Sequence, residues 1–242
     1  MKKHGIFIGI LLLVSVSLAG QETNEPPDSK LRIGVSFSPN YSYRVLKSDA
    51  GSNFVPDMRN EQEIPKFGYS AGLSVVYTLN QNISLESGVL FTDRGEKTNE
   101  LDFSGIDTIY NYPKNGKISY HYQYLDIPVK INIILLRNNF SIFFSGGVSA
   151  NFLLNEFHRV KGEKNDGSEF EEKTDDDRLE PFNLQLLIGA GVDYNLTENF
   201  SIRFEPVFRR SVISIVDATL RQYPYSFGAN FAAYYRFPNR QK

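Results

Sequence analysis

The chain has 242 residues, of which 41% are hydrophobic, a formal net charge of −2 at pH 7, and no cysteine. This length suits one or two domains, and the negative mean hydropathy excludes a bundle of helical membrane spans. Because cysteine is absent and basic residues do not exceed acidic ones, disulfides, a lipid-bearing cysteine and a nucleic-acid partner are also excluded.

The first 20 residues have the pattern of a secretory signal peptide. Lys2 and Lys3 supply the basic start, residues 6–14 an apolar core, and Ser17 and Ala19 the small residues before a cleavage site. The apolar run is well short of the roughly 20 residues that a helical anchor needs. Loss of two of the 26 basic residues against 28 acidic ones gives the mature chain a net charge of −4.

The predicted organisation has four parts. They are a signal peptide (1–20), a flexible lead-in (21–30), a β-barrel (31–237) and a C-terminal tail (238–242). After a first strand that begins at Leu31, the stretch from Phe67 to Phe91 shows the barrel pattern most clearly. Apolar and aromatic residues alternate there with small, polar or charged ones on both sides of Asn80-Gln81-Asn82. This alternation predicts a tight hairpin of two long strands.

The same alternation continues to the end of the chain. It predicts further strands over residues 118–133, 140–151, 182–194, 200–209 and 223–237. The connections alternate long and short, and the long ones are residues 47–66, 96–117, 155–180 and 217–222. Asn115-Gly116 predicts a two-residue hairpin turn near the end of the second long connection.

Eight strands with an oily face and a polar face predict an all-β, antiparallel, up-and-down transmembrane barrel. Short periplasmic turns, four long external loops and two periplasmic termini are typical of outer-membrane barrels. A girdle at the lipid boundary must use tyrosine and phenylalanine, since the chain has no tryptophan. The rival fold, a water-soluble eight-stranded barrel, would put the oily residues inside, which the many glycines, serines and charges of the other face oppose.

Charges on the polar face are expected to neutralise one another inside the barrel, because an unpaired buried ion costs several kcal/mol. Four acids and four bases form this predicted interior cluster. They are Glu86, Asp126, Asp193, Glu205, Lys130, Arg203, Arg209 and Arg236. We interpret them as a structural plug, with a continuous water path for small ions as the alternative. Pro128 and Pro206 each remove a ladder donor, so bulges or fraying are expected there.

Three weaker features are candidate sites. Ser119 and His121 share one face of a strand, where a lipid-modifying hydrolase could place a nucleophile and a base. Asp175-Asp176-Asp177 could bind calcium, although a solvated loop is the simpler interpretation. The tyrosines from Tyr110 to Tyr124 could form a partner surface or a girdle. No cofactor or metal is predicted.

Tyr124-Leu125-Asp126-Ile127-Pro128-Val129-Lys130 resembles the Tyr-Leu-x-Ile-Pro stretch of the PorT-like outer-membrane β-barrel family of Bacteroidetes. Phe204-Glu205-Pro206 with Arg209-Arg210-Ser211, and Tyr225-Ser226-Phe227-Gly228 with a closing Tyr235-Arg236-Phe237, extend the resemblance over residues 31–237. It implies an eight-stranded outer-membrane barrel. The chain departs from the usual ending, because residues 238–242 follow Phe237.

These features favour a non-enzymatic outer-membrane barrel in contact with lipid and with envelope protein partners, in secretion or assembly. A narrow pore and a lipid-modifying enzyme are the two alternatives. The sequence does not identify the partner.

Overall fold

The computed structural model describes residues 30–48, 54–104, 113–137, 139–164 and 166–237. The predicted signal peptide, the lead-in before Lys30 and the tail lie outside these residues. Within them, eight long strands form a closed antiparallel barrel. The strands are β1 (Leu31–Ser48), β2 (Glu63–Thr78), β3 (Ile83–Arg94), β6 (Asn115–Arg137), β7 (Phe140–Glu163), β9 (Phe182–Asn195), β10 (Phe200–Ser211) and β11 (Leu220–Arg236).

The barrel closes because each long strand pairs with its neighbour along the chain and β11 returns to β1. The predicted all-β, eight-stranded, up-and-down fold is therefore confirmed. The short connections from β2 to β3, β6 to β7 and β9 to β10 define one end, called here the turn end, where both Lys30 and Phe237 also lie. The opposite end, with the longer connections, is called the loop end. No helix among the described residues has the length and apolar character to cross a membrane.

Smaller elements lie at the loop end. They are helix α1 (Phe54–Gln62) and strands β4 (Glu96–Thr98), β5 (Leu101–Asp102) and β8 (Glu169–Asp175). In α1, Arg59 donates to the Glu63 carboxylate four residues on, at 2.7 Å, which ties the helix to the start of β2. Much of what the sequence assigned to long loops is therefore regular structure.

The predicted division of each strand into an apolar face and a polar face is confirmed through the middle of the barrel. Leu73 is 61% exposed and Ile188 67% exposed on the outside, whereas Arg203 is 3% and Glu205 0% exposed on the inside. Alternate side chains of a strand point to opposite faces, so one face of every strand is apolar and outward. The water-soluble alternative, with an oily interior, is excluded by this arrangement.

Two rings of aromatic side chains bound the apolar band. At the loop end Tyr41 packs against Phe67, with ring centroids 5.8 Å apart. At the turn end Phe140 packs against Tyr194 at 4.7 Å, as Phe200 does against Tyr235 at 5.0 Å. From Phe67 to Tyr77, ten residue steps at about 3.3 Å and a tilt near 45° give a band about 23 Å tall, close to the roughly 25 Å apolar band of outer-membrane barrels. The girdles use tyrosine and phenylalanine, as predicted.

Pro128 and Pro206 each interrupt strand pairing locally without changing the register of the two strands. β3 and β6 pair at Ser87 with Val129 and again at Leu90 with Asp126, so pairing is lost opposite Pro128 while the register is kept. β9 and β10 show the same gap at Pro206. Fraying is therefore found at both prolines, whereas the expected alternative, a bulge, is found at neither.

The predicted hairpin turn at Asn115-Gly116 is wrong. Both residues lie in β6, where Asn115 pairs with Asp102 of β5 and with Glu163 of β7. Long-range pairing on both sides outweighs the local turn preference of the dipeptide. β6 and β7 accordingly continue far past the loop-end girdle, and β8 pairs alongside β7 from Phe157 to Glu163.

Candidate functional site

Charged side chains fill the barrel interior, and small side chains, mostly serines, lie between them on the inward face. Arg203 of β10 lies at its turn-end half and donates to Asp193 through Nε (2.6 Å to Oδ1) and Nη2 (2.7 Å to Oδ2). Through Nη1 it also donates to Glu86 of β3, across the lumen. Arg32 adds a second donor to Asp193 at 3.0 Å. One guanidinium thus joins carboxylates from two different strands.

Lys130 extends the network towards the loop end. Its Nζ lies 2.8 Å from Oε1 of Glu86 and 2.8 Å from Oε2 of Glu205. The Ser145 hydroxyl donates to Glu205 at 2.5 Å, and the Asn230 amide donates at 3.2 Å. Every charge in this chain of contacts has an opposite charge and further hydrogen bonds, which is the condition under which buried ions are tolerated.

Asp126 forms a second group closer to the loop end. It accepts hydrogen bonds from Thr92 (2.8 Å) and Asn151 (2.7 Å) and lies 3.4 Å from Nη2 of Arg94. The Arg94 guanidinium in turn stacks over the Tyr124 ring, 4.2 Å from its centroid. This group is separate from the Arg203 network.

The eight residues predicted for the interior cluster have three different outcomes. Five share the connected network, and Asp126 lies in its own group; the five are Glu86, Lys130, Asp193, Arg203 and Glu205. Arg209 donates to the Ser38 hydroxyl at 3.1 Å and Arg236 to the Glu198 carbonyl at 3.4 Å, and among the described residues neither makes an ion pair. The prediction omitted Arg32 and Arg94, whose strand parity already placed them on the inward face.

The cavity found among the charged side chains of the described barrel interior is small. A cavity of about 30 Å³ lies between Glu86, Lys130 and Arg209. Such a volume holds about one water molecule. The side chains therefore occlude the lumen instead of lining an open channel.

A second polar layer closes the loop end. Arg44 of β1 pairs with Glu63, and Tyr122 of β6 donates to Glu96 at 2.7 Å. The expectation that the tyrosines up to Tyr124 form an exposed surface is wrong for Tyr122 and Tyr124, which are buried beside Ile215; Tyr110 lies outside the described residues. They share the inward parity of β6 and fill the mouth of the barrel.

Near the loop end lies a largely buried group of three polar residues that the sequence did not predict as a group. Lys66 Nζ lies 2.7 Å from Asp93 Oδ1 and 2.8 Å from His121 Nδ1, and His121 lies 2.9 Å from Asp93 Oδ2. The imidazole stacks on Phe157 at 4.6 Å. The predicted partner Ser119 makes no hydrogen bond to His121 within the described part of the chain, so the arrangement does not form the nucleophile and base of a hydrolase.

The Asp175-Asp176-Asp177 run is partly neutralised by basic neighbours. Asp175 lies 3.0 Å from Lys173, and Asp176 lies 2.7 Å from His158 and 3.2 Å from Arg178. Burial acts to raise the pKa of Asp176, but the hydrogen bond to His158 and the charge of Arg178 lower it overall. Over the described residues no cluster of three or more potential metal ligands is found, so the calcium hypothesis gains no support.

Sequence comparison agrees with this geometry. A family model described as "Outer membrane protein beta-barrel domain" matches residues 19–215. The chain belongs to this outer-membrane β-barrel family. Its localisation is therefore the outer membrane, and the apolar rows face lipid. Among curated proteins, none is significantly similar in sequence.

Solved structures with the same architecture include several outer-membrane proteins. OprG from Pseudomonas aeruginosa has a TM-score of 0.53 at 11% identity, with 88% of this chain and 98% of that chain covered. Neisserial surface protein A gives 0.42 at 13% identity, covering 84% and 96%. A major outer membrane protein from Thermus thermophilus gives 0.43 at 11%, covering 85% and 99%. The OprG likeness shows the fold alone, and the two lower scores add no argument.

Proposed function

We propose that this outer-membrane barrel is a non-enzymatic anchor that presents a binding sheet to another envelope protein. The observation that carries the proposal is the extension of β6 and β7 past the loop-end girdle, together with β8. Within the described residues β8 pairs with β7 alone, which leaves its other edge open. An open strand edge is a template for adding a strand from a partner chain.

The charge of β8 indicates what kind of segment would pair with it. Four of its seven residues are acidic and one is basic. A second copy of β8 would bring like charges together across the ladder, which is unfavourable. A basic extended segment of a different protein fits this edge better.

The occluded lumen favours this function over the narrow pore. Ion pairs on Arg203 and Lys130 fill the middle of the barrel, and the cavity beside them is about 30 Å³. A solute would have to break several buried ion pairs to pass, and each break costs several kcal/mol. We therefore keep the pore as the weaker alternative.

The proposal also covers the orientation of the barrel in the membrane and its resemblance to a narrower family. We infer that the loop end is external and the turn end periplasmic, since long external loops and short periplasmic turns are usual in such barrels. A cleaved signal at residues 1–20 fits this route. The motifs that resemble PorT-like proteins of Bacteroidetes shape the barrel and carry no role with them, so a part in secretion or assembly is proposed from the projecting strands alone.

Photo-crosslinking in native membranes tests the proposal. A photoreactive amino acid is placed at Glu171 on β8 and, as a matched control, at Glu198 in a turn at the other end. The expected result is a discrete adduct with another envelope protein from position 171 and none from 198. An adduct from position 198 alone, or no adduct from 171 at normal abundance, would overturn the proposal.

A further inference from the structure

The loop-end parts of β6 (residues 115–122) and β7 (156–163), together with β8, form what is called here the projecting sheet. A groove of about 690 Å³ lies on its outward face, away from the open edge of β8. It runs across three adjacent strands, β4, β6 and β7. Five lysines line it, namely Lys97, Lys114, Lys117, Lys161 and Lys164. Glu100 and Glu163 also contribute, so its lining carries a net charge of +3 in a chain whose own net charge is −2.

The register places like charges opposite each other in this groove. Lys117 of β6 pairs directly with Lys161 of β7. Like charges at such a position destabilise a sheet. Lys161 is partly compensated by Glu171, 3.0 Å away, but Glu171 also holds Arg159 at 3.2 Å. Among the described residues Lys117 is exposed and makes no ion pair, so its ammonium group can contact an anion bound in the groove.

The shape and lining indicate the chemistry of that anion. Neighbouring strands lie about 4.8 Å apart, so lysines on three strands span roughly 10 Å and match several anionic groups on one molecule. The Asn115 amide, the Ser119 hydroxyl and backbone groups complete the lining, and its described residues include no aromatic or aliphatic side chain. The volume is in the range of small-ligand sites.

We propose that the groove binds a multiply phosphorylated or sulfated saccharide. Each anionic group accepts charge-assisted hydrogen bonds from lysine Nζ atoms, and Asn115 and Ser119 bond sugar hydroxyls. The same chemistry is available from the glycan headgroup of a membrane lipid and from a free anionic glycan. This site is independent of the protein partner, because it does not use the edge of β8.

Titration calorimetry on the full chain in phosphatidylcholine nanodiscs tests the proposal. The probe is myo-inositol hexakisphosphate, and neutral myo-inositol is its control. We expect saturable binding of the hexakisphosphate alone, with affinity that falls as salt rises. Lys117→Ala should weaken binding at least about fivefold, the effect of one charge-assisted contact, and Lys117→Arg should retain most of it.

Lys47→Ala is the matched control, because Lys47 is an exposed lysine on β1 at the same end of the barrel. Its affinity should equal that of the unmodified chain. Absence of saturable binding, or equal weakening by Lys47→Ala and Lys117→Ala, would overturn the proposal. Repeating the titration in nanodiscs that contain lipid A separates the two sources: competition identifies a lipid headgroup, and unchanged affinity identifies a free glycan.

Discussion

Arg203 joins two carboxylates inside the barrel, because it contacts Glu86 and Asp193 from two other strands. It also stacks over the Phe143 ring, 4.2 Å from the centroid. Removal of one partner from a buried ion pair leaves an uncompensated charge. Such a change costs more than the pair itself contributes.

Arg203→Ala is therefore expected to lower the free energy of unfolding by about 3–5 kcal/mol. The measurement is urea unfolding in lipid vesicles. Arg210→Ala is the matched control, because Arg210 is exposed on the same strand, and it should change the value by less than about 0.5 kcal/mol. Equal effects of the two substitutions would contradict the network.

Asp176 provides a pH-dependent prediction in the projecting sheet. Its pKa in the folded chain is lowered, so its contribution to stability is present above the unfolded value of about 3.9 and is lost as pH falls through the lower folded value. The Asp176 amide donates to the Glu156 carbonyl at 3.0 Å and serves as the probe. Its hydrogen-exchange protection should fall in Asp176→Asn at pH 6 but differ little from the unmodified chain below the folded pKa.

The exposed neighbour supplies the control for this measurement. Asp177→Asn should leave the protection of the 176 amide unchanged across the pH range, since the described residues give Asp177 no ion pair. A difference between the unmodified chain and Asp176→Asn that persists unchanged in acid would exclude the proposed linkage.

Strand parity explains which side chains could be assigned from the sequence. The inward position of Glu86, Lys130 and Arg203 follows from alternation alone, because one residue step reverses the face of a strand. The ion-pair partners of these residues could not be assigned from alternation. Arg203 and Glu86 are 117 residues apart in the chain and meet across the lumen, so the pairing depends on barrel closure.

At the scale of elements, hairpins with short turns were the most predictable part of the fold. Asn80 accepts hydrogen bonds from the amides of Asn82 and Ile83, both at 2.9 Å, which fixes the turn between β2 and β3 locally. β8 and the loop-end part of β7 were assigned to a loop, because charged residues dominate both faces there. Their structure depends on pairing with each other and not on an apolar face.

Matched proline substitutions test whether the projecting sheet and the barrel are separable. Thr174 pairs with His158 outside the barrel, whereas Ile202 pairs with Tyr194 and Ala233 within it. Thr174→Pro should leave the barrel's free energy of unfolding within about 0.5 kcal/mol, and Ile202→Pro should lower it by roughly 3 kcal/mol. Urea unfolding followed by tyrosine fluorescence measures both. A large loss from Thr174→Pro would show that β8 supports the barrel.

At the scale of the whole molecule, the packed lumen predicts an electrically silent barrel. Single-channel recording in planar bilayers should show no conductance step for the unmodified chain, because ion pairs of Arg203 and Lys130 cross the lumen and the cavity beside them is about 30 Å³. A stable conductance that changes when Glu205 or Arg203 is neutralised would instead support the pore.

The whole molecule rests on one arrangement: the apolar side chains of each strand contact lipid, and the polar side chains point into the barrel and contact one another. The chain has no cysteine, so single cysteines can be introduced and spin-labelled one at a time. The most direct test compares labels at Leu73, Val75 and Ile188 with a label at Ser74 in bilayers. The three outward labels should collide readily with dissolved oxygen and little with a water-soluble nickel complex, and the inward label should collide little with either. Nickel collisions at the three apolar positions as frequent as in bulk water would contradict the account.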